Sequence, residues 1–149
     1  MLTKTPFSHR GEEPENSVLY IVGTPIGNLC DISPRALRIL KKVTLIACED
    51  TRQTKKIMSK FDFKNNLISF NKYNSFKKIS SLISELKKGN SVALVSDAGM
   101  PGICDPGEEL IREAKYKNID VICIPGPCAA ITALVSSGMP SSRFVFEGF

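Results

Sequence analysis

Five short apolar, β-branched runs recur along the chain, and they leave it few ways to fold: VLYIVGT at 18–24, VTLIACED at 43–50, LISF at 67–70, SVALVSD at 91–97 and DVICIPG at 120–126. Each reads as a buried strand of parallel type. Parallel neighbours need crossovers, and the segments between the runs have helical patterns. Ala36, Leu37, Ile39, Leu40 and Val43 keep one apolar stripe, and Ile79, Leu82, Ile83 and Leu86 fall at the i, i+3, i+4, i+7 positions of another helix face. Residues 50–60 and 129–137 complete the helix count. Ser33-Pro34 places an N-cap before a proline at the first helical position, and Asp105-Pro106-Gly107-Glu108 repeats that logic. Gly89 and Gly138 suit helix ends. The expected fold is α/β: a doubly wound, mostly parallel five-stranded sheet flanked by helices.

The chain's 149 residues, 42% hydrophobic and 23% charged, suffice for one domain with a real core. Residues 1–17 read as a flexible N-terminal extension, 18–142 as the α/β domain, and 143–149 as the start of a second α/β domain. That last expectation rests on SSRFVFEGF, a fresh strand-like run after Gly138-Met139-Pro140; the alternative is an edge strand closing the same sheet. No run approaches the roughly 18 apolar residues that span a bilayer, and the N-terminus lacks signal-peptide order. A soluble, cytoplasmic protein without membrane partners is the expectation. Cys30, Cys48, Cys104, Cys123 and Cys128 are odd in number and lack CxxC spacing, so they read as reduced and mostly buried, and no metal site is expected. The single histidine, His9, lies in the opening segment, which argues against Ser-His-Asp or Cys-His hydrolysis.

Charge is unevenly distributed. Residues 35–90 carry 14 Lys/Arg against 4 Asp/Glu, while the segments on either side are net acidic. Two readings stand: solvated helix faces, or a footprint for a polyanion such as RNA.

In an open parallel sheet, ligands bind outside the carboxyl ends of the strands, where loops and helix N-termini converge. Three loops there are rich in Gly and Pro: GTPIGN at 23–28, SDAGMPGICDPG at 96–107 and PGPCAA at 125–130. Glycine admits close backbone approach and proline fixes the direction of carbonyls and amides, so adjacent loops of this kind can hold a flat heterocycle and a ribose. GTPIGN is followed by no Gly-Lys-Ser/Thr and is no P-loop. CEDTR at 48–52 brings Glu49, Asp50 and Arg52 to the same crevice, either as surface ion pairs or to orient a hydroxyl, a cationic ligand or a phosphate.

Taken in order, LYIVGTPIGNLCDIS, LIACEDTRQT, LVSDAGMPGICDPG, IPGPCAA and RFVFEGF resemble the N-terminal half of the ribosomal RNA small subunit methyltransferase I family, a branch of the S-adenosylmethionine-dependent tetrapyrrole methylases. The resemblance runs from about residue 18 to the last residue. It implies a two-domain α/β enzyme, usually a homodimer, that binds S-adenosylmethionine between its halves. The implied reaction is methylation of a cytidine 2′-hydroxyl in the decoding region of 16S rRNA within the small ribosomal subunit. Carried over by position, it implies cofactor contacts at Thr24, Pro25, Ala98, Gly99, Met100, Ile103, Cys128 and Ala129, with Asp97 beside them. Glu49, Asp50 and Arg52 are then candidates for polar work near the methyl group, and Arg52, Lys55 and Lys56 for rRNA phosphates. Met100 departs from the family's common threonine, Cys104 and Cys128 from serine, and Gln53 from histidine. Two rival readings remain: a tetrapyrrole (precorrin) methylase, and a non-catalytic RNA-binding module.

Overall fold

A computed structural model describes residues 13–148. Five strands form one sheet: β1 (Val18–Val22), β2 (Leu45–Cys48), β3 (Leu67–Ser69), β4 (Val92–Val95) and β5 (Asp120–Ile124). Their order is β3-β2-β4-β1-β5, and every pairing is parallel. All carboxyl ends therefore lie along one edge. Five helices connect and follow them: α1 (Pro34–Lys42), α2 (Thr51–Lys60), α3 (Ser75–Lys87), α4 (Glu108–Tyr116) and α5 (Ala129–Ser137).

Strand alternation divides the core in two. Val18, Tyr20, Val22, Ile46, Ala93 and Val95 face one cluster, where Ala36, Ile39 and Leu40 of α1 and Ile57 of α2 cover them. Leu19, Ile21, Ala47, Val92 and Leu94 face the other, under Leu82, Ile83 and Leu86 of α3 and Leu110 and Ala114 of α4. Each fully buried large side chain contributes about 1.5–3 kcal/mol, which makes these two layers the main stabilising term. Helices on both faces are the doubly wound arrangement expected. β1 and β4 are adjacent, yet the chain leaves them toward opposite faces, so a crevice opens between their carboxyl ends.

Local signals explain the boundaries. Ser33 caps α1, its Oγ accepting from the Ala36 N–H at 3.0 Å, with Pro34 at the first helical position. Gly138 closes α5 in the left-handed conformation at φ 72°. The Asp105 cap is not formed. Instead α4 starts two residues later on Gly107, whose φ of 144° suits glycine alone and whose Cα packs so closely that a Cβ would stand 2.7 Å from Leu94 Cδ2.

Other expectations need correction. Not every strand is buried: β3 is half-buried and β5, at the sheet edge, exposes Asp120 and Cys123, since α5 leaves its faces uncovered. Nor are the cysteines mostly buried. Only Cys48 is, while Cys30 and Cys104 lie on surface loops and Cys123 on the open edge. Separately from these, Arg143–Gly148 is exposed chain without strand pairing among the described residues, which leaves the expectation of a second domain beginning there open to either reading. The extension drawn to residue 17 also has structure at its end. Glu13 is buried, and Arg35 donates two hydrogen bonds to its carboxylate, at 2.7 and 2.6 Å. His9 lies outside the described residues.

Candidate functional site

The crevice is built by backbone. Thr24 and Gly99 exchange N–H···O bonds of 2.9 and 3.0 Å, which ties the GTPIGN loop to the loop after β4 across the gap between β1 and β4. The Thr24 hydroxyl donates to the buried Ser96 carbonyl at 3.2 Å. The Gly23 N–H donates to Ile124 O at 3.3 Å, and Gly23 lies so close to Gly126 that a Cβ on either would come within 2.7 Å of the other's Cα. Three loops thus lock together through glycines, and no larger residue fits at Gly23 or Gly126. Gly99 itself sits at φ 82°.

Two clefts adjoin at Ala98. One, of about 250 Å³, is lined mainly by Ala98, Gly99, Met100, Ile103, Cys128 and Ala129, with Phe146 at its margin. The other, of about 490 Å³, lies between the GTPIGN loop and α2 and is lined by Pro25, Ile26, Gln53, Lys56, Ile57 and Asp97 among others. Of the residues expected at a cofactor, eight line these clefts. Thr24 does not, since it is buried and spends its polar groups on Gly99 and Ser96.

Beside the shared wall is an acidic group. The Asp50 N–H donates to Asp97 Oδ1 at 3.0 Å, and the Asp97 N–H donates to Glu49 Oε2 at 3.4 Å. These bonds fasten the end of β2 to the end of β4. Partial burial pushes the Glu49 carboxyl above its ordinary pKa, and the neighbouring charges of Asp97, Asp105 and Asp50 add to the rise. Asp97 is raised in the same way, by desolvation first and then by Asp50 and Asp105. Asp50 goes the other way, because Arg52 donates to its carboxylate from Nε and Nη2, the latter at 2.7 Å. Asp50 also caps α2, accepting from the Arg52 N–H at 2.8 Å. Arg52, 86% exposed, is therefore engaged with Asp50 at the rim, while Glu49 and Asp97 form the pair that carboxylate chemistry favours.

Sequence reasoning did not single out Ile26, Ile57 or Phe146 as lining residues. Ile57 had a signal only as part of the α2 stripe, and Phe146 only as part of an apolar terminal run. Gln53 and Lys56 share a wall of the larger cleft because they lie one helical turn apart.

The chemistry of this lining fits an adenosyl sulfonium ligand. Small residues leave main-chain groups accessible, Met100 and Ile103 offer apolar faces for a heterocycle, and Asp97, whose N–H is bonded to Glu49 outside the lining, sets negative charge near a cation.

Comparison with known proteins gives the same sheet edge a family. The family model of the Tetrapyrrole (Corrin/Porphyrin) Methylases matches residues 18–147. The chain is 52% identical over 135 residues to ribosomal RNA small subunit methyltransferase I of Buchnera aphidicola subsp. Schizaphis graminum, covering 91% of this chain and 47% of that protein. It is 48% identical over 141 residues to the protein of the same name from Escherichia coli O157:H7, covering 95% and 49%. Against that from Thermotoga maritima it is 52% identical over 131 residues, covering 88% and 59%. The chain spans about half the length of the curated relatives it matches. Among solved structures, uroporphyrin-III-C-methyltransferase from Thermus thermophilus superimposes with a TM-score of 0.64 at 21% identity, over 85% of this chain and 54% of that one. This last likeness establishes the fold.

Proposed function

The chain belongs to the tetrapyrrole methylase family, and from that premise we propose that it is the N-terminal half of an enzyme that methylates the 2′-hydroxyl of a cytidine ribose in the decoding region of 16S rRNA, using S-adenosylmethionine. The observation that carries this reading is identity near 50% over about nine-tenths of the chain to relatives named ribosomal RNA small subunit methyltransferase I. The enzyme would act on the small ribosomal subunit in the cytoplasm as a homodimer, with a second α/β half completing the crevice.

When bound, S-adenosylmethionine supplies an electrophilic methyl group. Pro25, Ala98, Gly99, Met100, Ile103, Cys128 and Ala129 would hold it, largely through backbone, and Thr24 would hold the loops. Substitution of threonine by Met100, and of serine by Cys128, leaves such backbone contacts intact. Glu49 and Asp97, joined through the Asp97 N–H and both raised above the ordinary carboxylate pKa by partial burial, are suited to accept the proton that the ribose hydroxyl loses. Asp50 and Arg52 would fix the position of that pair from the start of α2. The remaining rate gain comes from positioning the hydroxyl.

The test uses the full-length gene product, labelled S-adenosylmethionine and small subunits from a strain lacking the gene. The label should enter 16S rRNA at one cytidine and protect the adjoining phosphodiester from alkaline cleavage, as a 2′-O-methyl group does. Label in a precorrin-type tetrapyrrole, with none in rRNA, would overturn the reading. A protein that binds rRNA and transfers no methyl group would favour the binding module instead.

A further inference from the structure

The loop after β3 borders the acidic end of β2. Ser69 pairs in register with Cys48, and the Phe70 N–H donates to Cys48 O at 2.8 Å, so the following residues leave the sheet beside Glu49. Strands lie about 4.8 Å apart, which places this loop roughly 10 Å along the edge from the Asp97 loop. It reads Asn71-Lys72-Tyr73-Asn74-Ser75-Phe76-Lys77-Lys78, and Tyr73 and Phe76 are the most exposed aromatic side chains described, at 86% and 89%.

Their exposure is built in. Asn71 Oδ1 accepts from the Tyr73 N–H at 3.0 Å, and Asn74 Oδ1 accepts from the Asn71 N–H at 2.9 Å. The Asn71 and Asn74 amides both donate to Ser69 Oγ at 3.3 Å. The inward-facing groups of the loop are thus satisfied by one another, and Tyr73 is left outside with Lys72 Nζ 5.2 Å from its ring centroid. Phe76 is in the first turn of α3 and lines a groove of about 560 Å³ between α3 and α4. That groove also holds Glu109 and Glu113, with Arg112 and Lys117 beside them, so its floor is charge-mixed. The loop itself is not. Residues 63–84 contain four lysines, Lys64, Lys72, Lys77 and Lys78, and no acid.

Bare aromatic rings among lysines, with no acid in the segment, are complementary to unpaired bases on a phosphate backbone. A duplex would hide its bases from such rings, and an acidic protein surface would use the lysines and leave the rings in water. We propose that the Lys72–Lys78 loop is a stacking platform for single-stranded RNA flanking the methylated nucleotide, Tyr73 and Phe76 receiving bases while Lys72 and Lys77 meet phosphates. The proposal rests on the rRNA reading above. It adds a direction: the strand crosses the sheet edge on the β3 side of the acidic pair.

The experiment uses the full-length gene product and a short fluorescein-labelled single-stranded RNA, alone and annealed to its complement. Tyr73→Ala combined with Phe76→Ala should weaken single-strand binding by roughly tenfold or more. Duplex binding, the slope of affinity against salt and calorimetric affinity for S-adenosylmethionine should stay as in the parent. Tyr73→Trp should retain the affinity, and Lys72→Ala with Lys77→Ala should lower the salt slope. Unchanged single-strand affinity in the double alanine variant overturns the platform, as does equal loss on duplex RNA. A shift in sedimentation toward monomer in that variant overturns it as well, assigning the rings to a protein interface. The two readings fail separately. Aromatic-dependent binding without methyl transfer removes the enzyme and keeps the platform, whereas normal methylation by the double variant with unchanged binding removes only the platform.

Discussion

Gly126 and Gly23 show how a single atom can govern the site. A Cβ on Gly126 would meet Gly23 Cα at 2.7 Å and its C and O at 2.9 Å, all of them backbone. Backbone cannot rotate aside, so Gly126→Ala should cost about 2 kcal/mol in a urea-unfolding measurement and weaken cofactor binding as the loops separate. The carboxylates give a prediction of their own. Glu49 and Asp97 both have pKa values raised on folding, so the folded state binds their protons more tightly than the unfolded chain does. The stability they contribute is present below the ordinary carboxylate range and is lost as pH rises through their raised values. Glu49→Gln or Asp97→Asn should therefore raise the thermal midpoint at pH 7, and the gain should fade near pH 4. Asp50 has the opposite sign: Arg52 lowers its pKa, so its contribution is present above the ordinary Asp value and is lost as pH falls through the depressed one. Sequence alone brings these acids only to the same edge of an expected sheet, at the ends of two strands. It does not rank them, because their order depends on which one Arg52 reaches.

Helix α1 follows local rules closely. Its start at Pro34 and its cap at Ser33 are both readable from the dipeptide, and the Ser33 Oγ bond satisfies one of the free N–H groups of the first turn. Ser33→Ala should lower stability by about 1 kcal/mol, measured as a shift in denaturant midpoint, with no change in cofactor affinity. Helix α4 shows where such rules fail. Asp105-Pro106 has the letters of a helix start, yet Gly107 takes that role at φ 144°, packed so that a Cβ would stand 2.7 Å from Leu94 Cδ2. That packing partner lies thirteen positions away, and no dipeptide signal carries it. The edge strand β5 departs from expectation for a related reason. Its apolar run is as strong as that of β1, and only its place at the end of the order leaves Cys123 exposed.

For the whole molecule the decisive property is the separation of charge along the sheet edge. The basic segment 35–90 builds α1, β2, α2, β3 and α3; Lys55 and Lys56 fall in the first half of α2 and Lys72, Lys77 and Lys78 in the loop and first turn after β3, while Asp105, Glu108 and Glu109 lie at the start of α4. If Arg52, Lys55 and Lys56 face rRNA phosphates, replacing all three by Ala in the full-length product should weaken rRNA binding and flatten its salt dependence by up to about three counterions. Cofactor affinity should remain nearly intact. An unchanged salt slope would return these residues to the role of a solvated helix face, with Arg52 held by Asp50.

The sequence by itself determined the elements and the family: parallel strands follow from short β-branched runs, helices from their apolar stripes, and the ligand loops from Gly and Pro at strand ends. These are local properties, set by backbone freedom and by periodicity. Only the tertiary structure decided which loops become neighbours. The order β3-β2-β4-β1-β5 puts Glu49 beside Asp97, Thr24 against Gly99 and the Tyr73 loop next to the Glu49 strand end. It also decided that Thr24 faces inward and that Tyr73 and Phe76 face out. Such facts depend on contacts between residues about 20 to 75 positions apart, and the free energy of those contacts comes from packing and desolvation that no short stretch of chain contains.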